Sequence, residues 1–326
     1  MTRSLPSTQT QSKLGNISST DLVSVENPHD ALILSSDDRH EEVQHRYAAH
    51  CNDRNAQQRA KFLSSDFSGL IIDQHLLKLE RPHLCPGFRD ERGFRICSKL
   101  LPLVCQIPPK PFGTVAKSDK LTLLAVWLMP TYRIHLTTQE IAFCKTPDEI
   151  ASLVSTLRPS LPAITSYTTT HRARLVKPMI SYDLSAFAVS FLPASGEAAL
   201  SPASTKPSPQ HCVEQCDSYT YQHLRRDILD QVSRAGLKVE TRYQVPSAHI
   251  TLGRYLSDED HDTPEKTVIW VEAIEAINKW LEEEVWDRPD ADFVGEWIVG
   301  QEQGLDARTG TVWYGGGRTI MMGEGF

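Results

Sequence analysis

The chain has 326 residues, of which 40% are apolar and 23% charged, and its formal net charge is −7. This usage is ordinary for a globular protein of one large or two modest domains, and it argues against a disordered or fibrous chain. The acidic balance removes the global basic field that long duplex DNA requires, but a local site for a small or terminal phosphate needs no such field.

From Met1 to Asp30 there is no apolar run of signal-peptide length, and residues 1–26 read as a flexible tail ahead of one domain spanning 27–326. Asp38 to Phe62 lacks Gly and Pro, is rich in charge, and predicts a helix on the outside of the domain. Prolines interrupt Arg81 to Lys120, where Ile96 to Ile107 is the best strand candidate. Leu121 to Met129 is the most apolar run. It is far short of the roughly 20 residues that span a bilayer, so no membrane segment is expected and a buried strand is. Thr146 to Leu157 predicts a helix: Thr146 as N-cap, Pro147 in the first turn, Asp148 and Glu149 matching the dipole, and Ile150, Leu153, Val154 and Leu157 on the core face.

Thr165 to Leu175 and Ala186 to Leu192 read as strands, and residues 194–217 as an exposed Pro- and Ser-rich insertion. Tyr219 to Ala235 predicts a helix stopped by Gly236. Val245 to Tyr255 predicts a strand. Thr267 to Glu284 predicts an amphipathic helix carrying Val268, Val271, Ile274, Ile277, Trp280 and Leu281 toward the core. Phe293 to Phe326 reads as strands joined by Gly-rich turns. Interleaved helices and strands favour an α/β or α+β domain. Seven scattered cysteines, of which only Cys212 and Cys216 lie close together, predict reduced thiols rather than a zinc site. The chain is therefore expected in the cytoplasm or nucleus, not secreted.

Three of the 12 histidines begin a His-x-Thr triplet: His135, His249 and His261. His261 follows Asp258-Glu259-Asp260 and precedes Asp262-Thr263-Pro264, which reads as a surface loop. The other two sit in alternating segments. Tyr132, Ile134 and Leu136 share one face opposite Arg133, His135 and Thr137. Ala248, Ile250 and Leu252 share one face opposite His249, Thr251 and Gly253. With a side-chain period of two, each imidazole projects together with its Thr hydroxyl.

Two such pairs suit phosphodiester chemistry. One imidazole takes a proton from the attacking oxygen, the other gives one to the leaving oxygen, and Thr137 and Thr251 donate to the non-bridging oxygens. Histidine fits both tasks because its unperturbed pKa is about 6.5. The scheme uses no metal and no cofactor. It requires His135 and His249 to face one another across a single cleft. Arg172 and Arg174, alternating on a predicted strand with Lys177 beyond, are candidate phosphate binders. Tyr255, Trp313 and Tyr314 are candidates for stacking on a base. Gly315-Gly316-Gly317 lacks the Lys-Ser/Thr of a phosphate loop and reads as a turn or a close approach.

At these residues the chain resembles the two-histidine (2H) phosphoesterase superfamily, and more narrowly its fungal RNA ligase/cyclic nucleotide phosphodiesterase branch. The resemblance extends to Asn55-Ala56-Gln57-Gln58, Trp127-Leu128-Met129-Pro130, His171 to Pro178, Val245-Pro246-Ser247-Ala248 and Trp313 to Gly317. Residues 93–120 and the approach Tyr132-Arg133-Ile134 depart from the family pattern. The resemblance implies an α+β fold of two lobes, whose antiparallel sheets form a central cleft with flanking helices. It implies activity on a nucleotide or RNA terminus bearing a 2′,3′-cyclic phosphate or a 2′-5′ linkage. The alternative is a non-catalytic module that binds nucleotide or RNA in the same cleft.

Overall fold

The computed structural model describes residues 27–80, 92–98, 125–200, 217–239, 245–291 and 293–326. Within them the fold is α+β: seven α-helices and two antiparallel sheets. The helices are α1 (Pro28–Ser35), α2 (His40–Phe62), α3 (Gln74–Glu80), α4 (Pro147–Leu157), α5 (Leu161–Thr165), α6 (Tyr221–Arg234) and α7 (Pro264–Glu284). The strands are β1 (Arg92–Ser98), β2 (Val126–Leu128), β3 (Leu136–Lys145), β4 (Arg174–Tyr182), β5 (Ala186–Pro193), β6 (Ala248–Tyr255), β7 (Glu296–Ile298), β8 (Asp306–Gly310) and β9 (Arg318–Met322). A four-stranded sheet runs β3-β1-β8-β9, and a five-stranded sheet runs β2-β6-β5-β4-β7. No helix among the described residues is long and apolar enough to cross a membrane.

Helices cover each sheet. On α2 the residues Val43, Tyr47, Cys51 and Phe62 form the buried stripe, which packs on β4 and β5. Val271, Ile274, Ile277 and Leu281 of α7 do the same against β4. Val268, expected in that stripe, is instead 38% exposed. The Thr146 N-cap closes a full capping box with Glu149 at the start of α4, which packs on β1, β3 and β8. Gly236 takes φ +91° just beyond α6, as expected of a helix stop.

Three expectations need correction. The segment from Thr165 is not a strand: α5 ends there, a 3₁₀ turn covers Tyr167–Thr169, and β4 begins only at Arg174. The Thr hydroxyls decide this locally. Thr165 Oγ1 donates to the Leu161 carbonyl (2.9 Å) and Thr169 Oγ1 to that of Ser166 (2.8 Å), bonds that favour turns over extended backbone. The start of the 194–217 insertion is anchored rather than exposed. Ala194 is buried, and the Glu197 carboxylate accepts from Lys177 Nζ (2.7 Å), Gln44 Nε2 (2.7 Å) and the Ser195 amide (2.6 Å); residues 201–216 lie outside the described set.

The third correction is His261. It is 3% exposed, ringed by Phe62, Tyr255 and Trp270 with ring centroids 5.9, 5.2 and 5.3 Å away. Composition suggested a surface loop, but the loop's acids point outward while the imidazole fills the space between α2, β6 and α7. Neither ring nitrogen has a hydrogen-bond partner. Burial pushes its pKa down to about 4, with Lys266 adding to that and Asp258 and Asp262 opposing it. His29, fully buried, is lowered to about 3, mainly by burial and then by Arg225.

Such groups make stability depend on pH. With a depressed folded-state pKa, the unfolded chain takes up a proton below about 6.5 that the native state accepts only near 4. Stability is therefore lost as pH falls through that window. The His261→Phe variant keeps the shape and removes the proton site, so its melting temperature should drop less between pH 7 and pH 5 than that of the wild type. Equal drops in the two proteins would show that His261 is not buried neutral.

Candidate functional site

The first triplet lies where a turn feeds β3. Pro130 precedes a 3₁₀ turn over Thr131–Arg133, and the chain becomes extended only at Ile134. Tyr132 therefore stands 65% exposed on the turn rather than sharing the buried face of Ile134 and Leu136, a correction to strict alternation. From Ile134 onward the alternation holds: Ile134 and Leu136 are buried, while His135 and Thr137 are half-buried against a cavity. Residues Arg92–Ser98, part of the stretch that departs from the family pattern, form β1 and pair with both β3 and β8. The expected strand began later, at Ile96; residues 99–124 lie outside the described set.

His135 Nδ1 lies 2.8 Å from the Arg133 carbonyl oxygen. A carbonyl only accepts, so Nδ1 carries the hydrogen and Nε2 keeps its lone pair. Gly315 secures that carbonyl from behind: a Cβ on Gly315 would lie 2.1 Å from the Arg133 oxygen, and its φ is +69°. The glycine run is thus a close approach that seats the first imidazole.

The second triplet lies on β6. Thr251 pairs with Ala188 and Gly253 with Phe187, so Leu252 is an extra residue that forms a bulge. Before it, Ala248 and Ile250 are buried while His249 and Thr251 face the cavity. After it the faces exchange. Gly253 and Tyr255 turn into the core, and Arg254 joins His249 and Thr251 on the cavity wall. Ser247 Oγ lies 2.9 Å from His249 Nδ1, a contact in which the hydroxyl can either donate or accept.

Both triplets line one cavity of about 380 Å³, together with Asp73, His75, Arg95, Arg225, Val245, Ser247, Arg254, Trp313 and Tyr314. One wall is aromatic and cationic. Arg95 is paired with Glu140 through Nη2 (2.7 Å) and Nε (3.1 Å), and its guanidinium lies 5.3 Å from the Trp313 ring centre. Arg254 reaches Asp73 (3.3 Å) and lies 5.4 Å from the Tyr314 ring. Asp73 Oδ1 accepts from the Tyr314 hydroxyl (2.7 Å) and from the His75 and Leu76 amides at the start of α3. Tyr314 itself stands at φ +53°, an uncommon conformation for an aromatic residue.

Burial lowers the proton affinity of both catalytic candidates, each to a pKa of about 4. For His135 the bond to the Arg133 carbonyl opposes burial, while Arg95, Arg308 and His249 add to it. For His249 Arg225 adds most after burial, Asp183 opposes, and Arg254 and Arg54 add further. The unperturbed pKa that made histidine attractive in the sequence is thus lowered in the cavity by burial and by the arginines. An anion between the rings would offset the arginines and raise both values.

The structure thus brings together His135, Thr137, His249, Thr251, Trp313 and Tyr314, and leaves four other candidates outside the cavity lining. Arg174 is buried and bound to Asp217 and to Glu296 (2.7 Å), so its donors are spent on holding the fold. Arg172 lies over the Phe326 ring at 4.1 Å. Lys177 sits in the β4 bulge at φ +52°, bonded to Glu197. All three belong to the β4 region, separated from β6 by β5. Tyr255, fully buried, packs on Trp270 and His261 and cannot stack on a ligand.

Sequence reasoning missed Asp73, His75, Arg95, Arg225, Ser247 and Arg254. Ser247 had a readable signal, standing two residues before His249 on the same face; Arg254 had a misleading one, since alternation without a bulge puts it with the apolar set. Among the described residues, no group of three or more His, Cys, Asp or Glu is arranged to hold a metal ion. Cys212 and Cys216 lie outside that set.

Because Gly315 touches the carbonyl that orients His135, Gly315→Ala should destabilise the fold by more than about 1 kcal/mol. It should also shift the His135 imidazole resonances more than those of His249 in an NMR spectrum. Unchanged melting together with unshifted His135 resonances would refute the role given to Gly315. No protein-family model matches this chain, and no curated protein matches it.

Proposed function

We propose that the cavity is the active site of a phosphoesterase acting on a nucleotide or an RNA terminus, with a 2′,3′-cyclic phosphate or a 2′-5′ linkage as substrate. The observation that carries this reading is that two His-Thr pairs, from two different sheets, line one cavity. The resemblance of both triplets to those of 2H phosphoesterases supports it. A cavity of about 380 Å³ suits a nucleotide-sized group rather than a long strand. The aromatic wall of Trp313 and Tyr314 offers a base a stacking partner.

The hydrogen bonds divide the labour. His135 Nε2, with its lone pair free, takes the proton from an attacking water as oxygen bonds to phosphorus. His249, as the imidazolium, donates Nδ1–H to Ser247 and Nε2–H to the ribose oxygen, protonating it as its bond to phosphorus breaks, and is left neutral. The product is a phosphomonoester, and proton exchange with water resets both rings. The Thr137 and Thr251 hydroxyls donate to the non-bridging oxygens as their charge grows. The second reading, binding without turnover, is favoured by the burial of both imidazoles beside Arg95 and Arg225, which lowers their proton affinity and so works against the acid that the reaction needs.

Assays on a panel of cyclic phosphates and short 2′-5′-linked oligonucleotides test the scheme. His135→Ala and His249→Ala should each lower kcat about 10²–10⁴-fold, and the double variant should lose far less than the product of the two. Thr137→Val and Thr251→Val should cost less, and turnover should survive EDTA. A requirement for added zinc or manganese would contradict the two-imidazole scheme.

The pH profile carries a sign. The kcat/KM profile reports the free protein, whose imidazoles titrate near 4, so its optimum should lie on the acid side of 6.5. The kcat profile reports the loaded site, where phosphate favours imidazolium, so it should be displaced to higher pH. Coincident optima at neutral pH would contradict this account. Nucleotide binding that depends on both histidines, without turnover on any substrate, would establish the second reading.

A further inference from the structure

Helix α6 buries one face, made by Tyr221, Leu224, Ile228, Leu229 and Val232, and Arg225 lies on that same face, 3% exposed. Its neighbour Arg226 turns outward to Asp227 and Asp30. Taking a charge out of water costs several kcal/mol, and a guanidinium cannot escape by losing its proton. An arginine at a core-facing helix position therefore needs a reason. The position supplies one: Arg225 lines the cavity with His135, Ser247, His249 and Thr251.

Polar groups behind the cavity fix the guanidinium in place. Nη1 donates to the Val245 carbonyl (2.9 Å), and the Tyr47 hydroxyl accepts a second bond. Tyr47 in turn donates to Gln222 Oε1 (2.8 Å), and Gln222 Nε2 donates to the His29 carbonyl (3.0 Å). This chain ties α1, α2 and α6 to the approach of β6. The planar fork of an arginine held in this way matches two oxygens of a phosphate, which a lysine does not.

We propose that Arg225 is a fixed phosphate-binding residue of the cavity, gripping the non-bridging oxygens of a phosphodiester or phosphomonoester set between His135 and His249. This assignment deepens the function proposed above and rests on that reading for the placement of the phosphate. It has a chemical consequence. Arg225 is the charge that most disfavours imidazolium at His249, after burial itself; Arg254 of β6 and Arg54 of α2 act in the same direction, and Asp183, just beyond β4, acts against them. A phosphate that neutralises Arg225 also relieves His249, so ligand binding and proton uptake are linked at one ring. The acid of the reaction becomes charged only when the site is loaded.

The test uses the full chain with inorganic phosphate as probe, comparing wild type with Arg225→Met and Arg225→Lys. Phosphate affinity is followed by calorimetry, and the His249 pKa by imidazole NMR. In wild type, phosphate should raise the His249 pKa and be bound with proton uptake at pH 6. Arg225→Met should weaken phosphate about 10- to 100-fold, as expected on losing charged hydrogen bonds. It should also raise the His249 pKa of the phosphate-free protein and move the limb of the kcat/KM profile that titrates with His249 to higher pH. Arg225→Lys, which keeps the charge and loses the fork, should fall between. Thermal melts establish folding, and if the Met variant does not fold, the Lys variant carries the comparison.

Phosphate affinity within twofold of wild type in a folded variant would overturn the proposal, as would wild-type phosphate binding that leaves His249 unperturbed. If no substrate is turned over but phosphate binding still depends on Arg225, the phosphoesterase reading falls and the phosphate site stands. If turnover depends on both histidines but phosphate ignores Arg225, the reverse holds.

Discussion

Antiparallel strands send alternate side chains to opposite faces, and each sheet of this protein has one face sealed by helices. Those two conditions together determine where polar groups on the strands can go. Once α2 and α7 cover β4 and β5, and α4 covers β1, β3 and β8, the remaining polar positions of β3 and β6 project into the space between the sheets. His135 and Thr137 meet His249 and Thr251 there because Ile134, Leu136, Ala248 and Ile250 are committed to the core. The cavity is what two half-buried sheets leave over when they face each other with their apolar sides turned away.

The same rule explains what was legible in the sequence. The helix from Thr146 could be read because its cap, proline, acids and apolar stripe all agree, and the structure repeats each of them. Each His-Thr pair could be read because period-two alternation is local and survives in both strands. The rest failed where something other than alternation took over. The extra residue at Leu252 reverses the faces of β6, so Tyr255 belongs to the core and Arg254 to the cavity; its one local sign in the sequence is the adjacent Gly253, since a glycine within a strand pattern often marks a bulge. Arg174 looks in sequence like any strand arginine, but it is consumed by Asp217 and Glu296, 43 and 122 positions away. Partners at such distances leave no mark on the local pattern. Arg225 is hidden for a similar reason: the sequence shows a helix from Tyr219 to Ala235 with its Gly236 stop, and nothing local marks one of its arginines as facing a cavity.

Charge is distributed against the average of the molecule. A chain of net charge −7 gathers Arg95, Arg225 and Arg254 around one cavity, with Asp73 and Glu140 as local partners. A cationic cleft in an acidic body attracts small anions locally, and low-dielectric walls strengthen the field inside it. Two of these guanidiniums lie over the aromatic faces of Trp313 and Tyr314, so the wall combines positive charge with flat apolar groups. This suits a ligand with a charged end and a planar end. Tyr314 stands in a left-handed turn and bonds to Asp73 at the start of α3, and Arg254 of β6 reaches both, so the aromatic wall depends on residues from separate elements meeting at one point.

The asymmetry between the two imidazoles follows from what stands behind each. A carbonyl behind His135 Nδ1 leaves one tautomer, and Gly315 admits no side chain that would move that carbonyl. A hydroxyl behind His249 Nδ1 allows either tautomer, since Ser247 donates or accepts as the ring requires. The ring with a single choice is fit to accept a proton at Nε2. The ring with two is fit to gain a proton and give it up while keeping the same neighbour. Under the proposed chemistry in the hydrolytic direction, His135 is therefore the base and His249 the acid. In the reverse direction each takes the other's role, and the serine hydroxyl lets His249 act as a base without any movement of β6. The two triplets are alike in sequence and differ in what stands behind them, so under the proposed chemistry the division of roles between the histidines rests on residues outside both motifs.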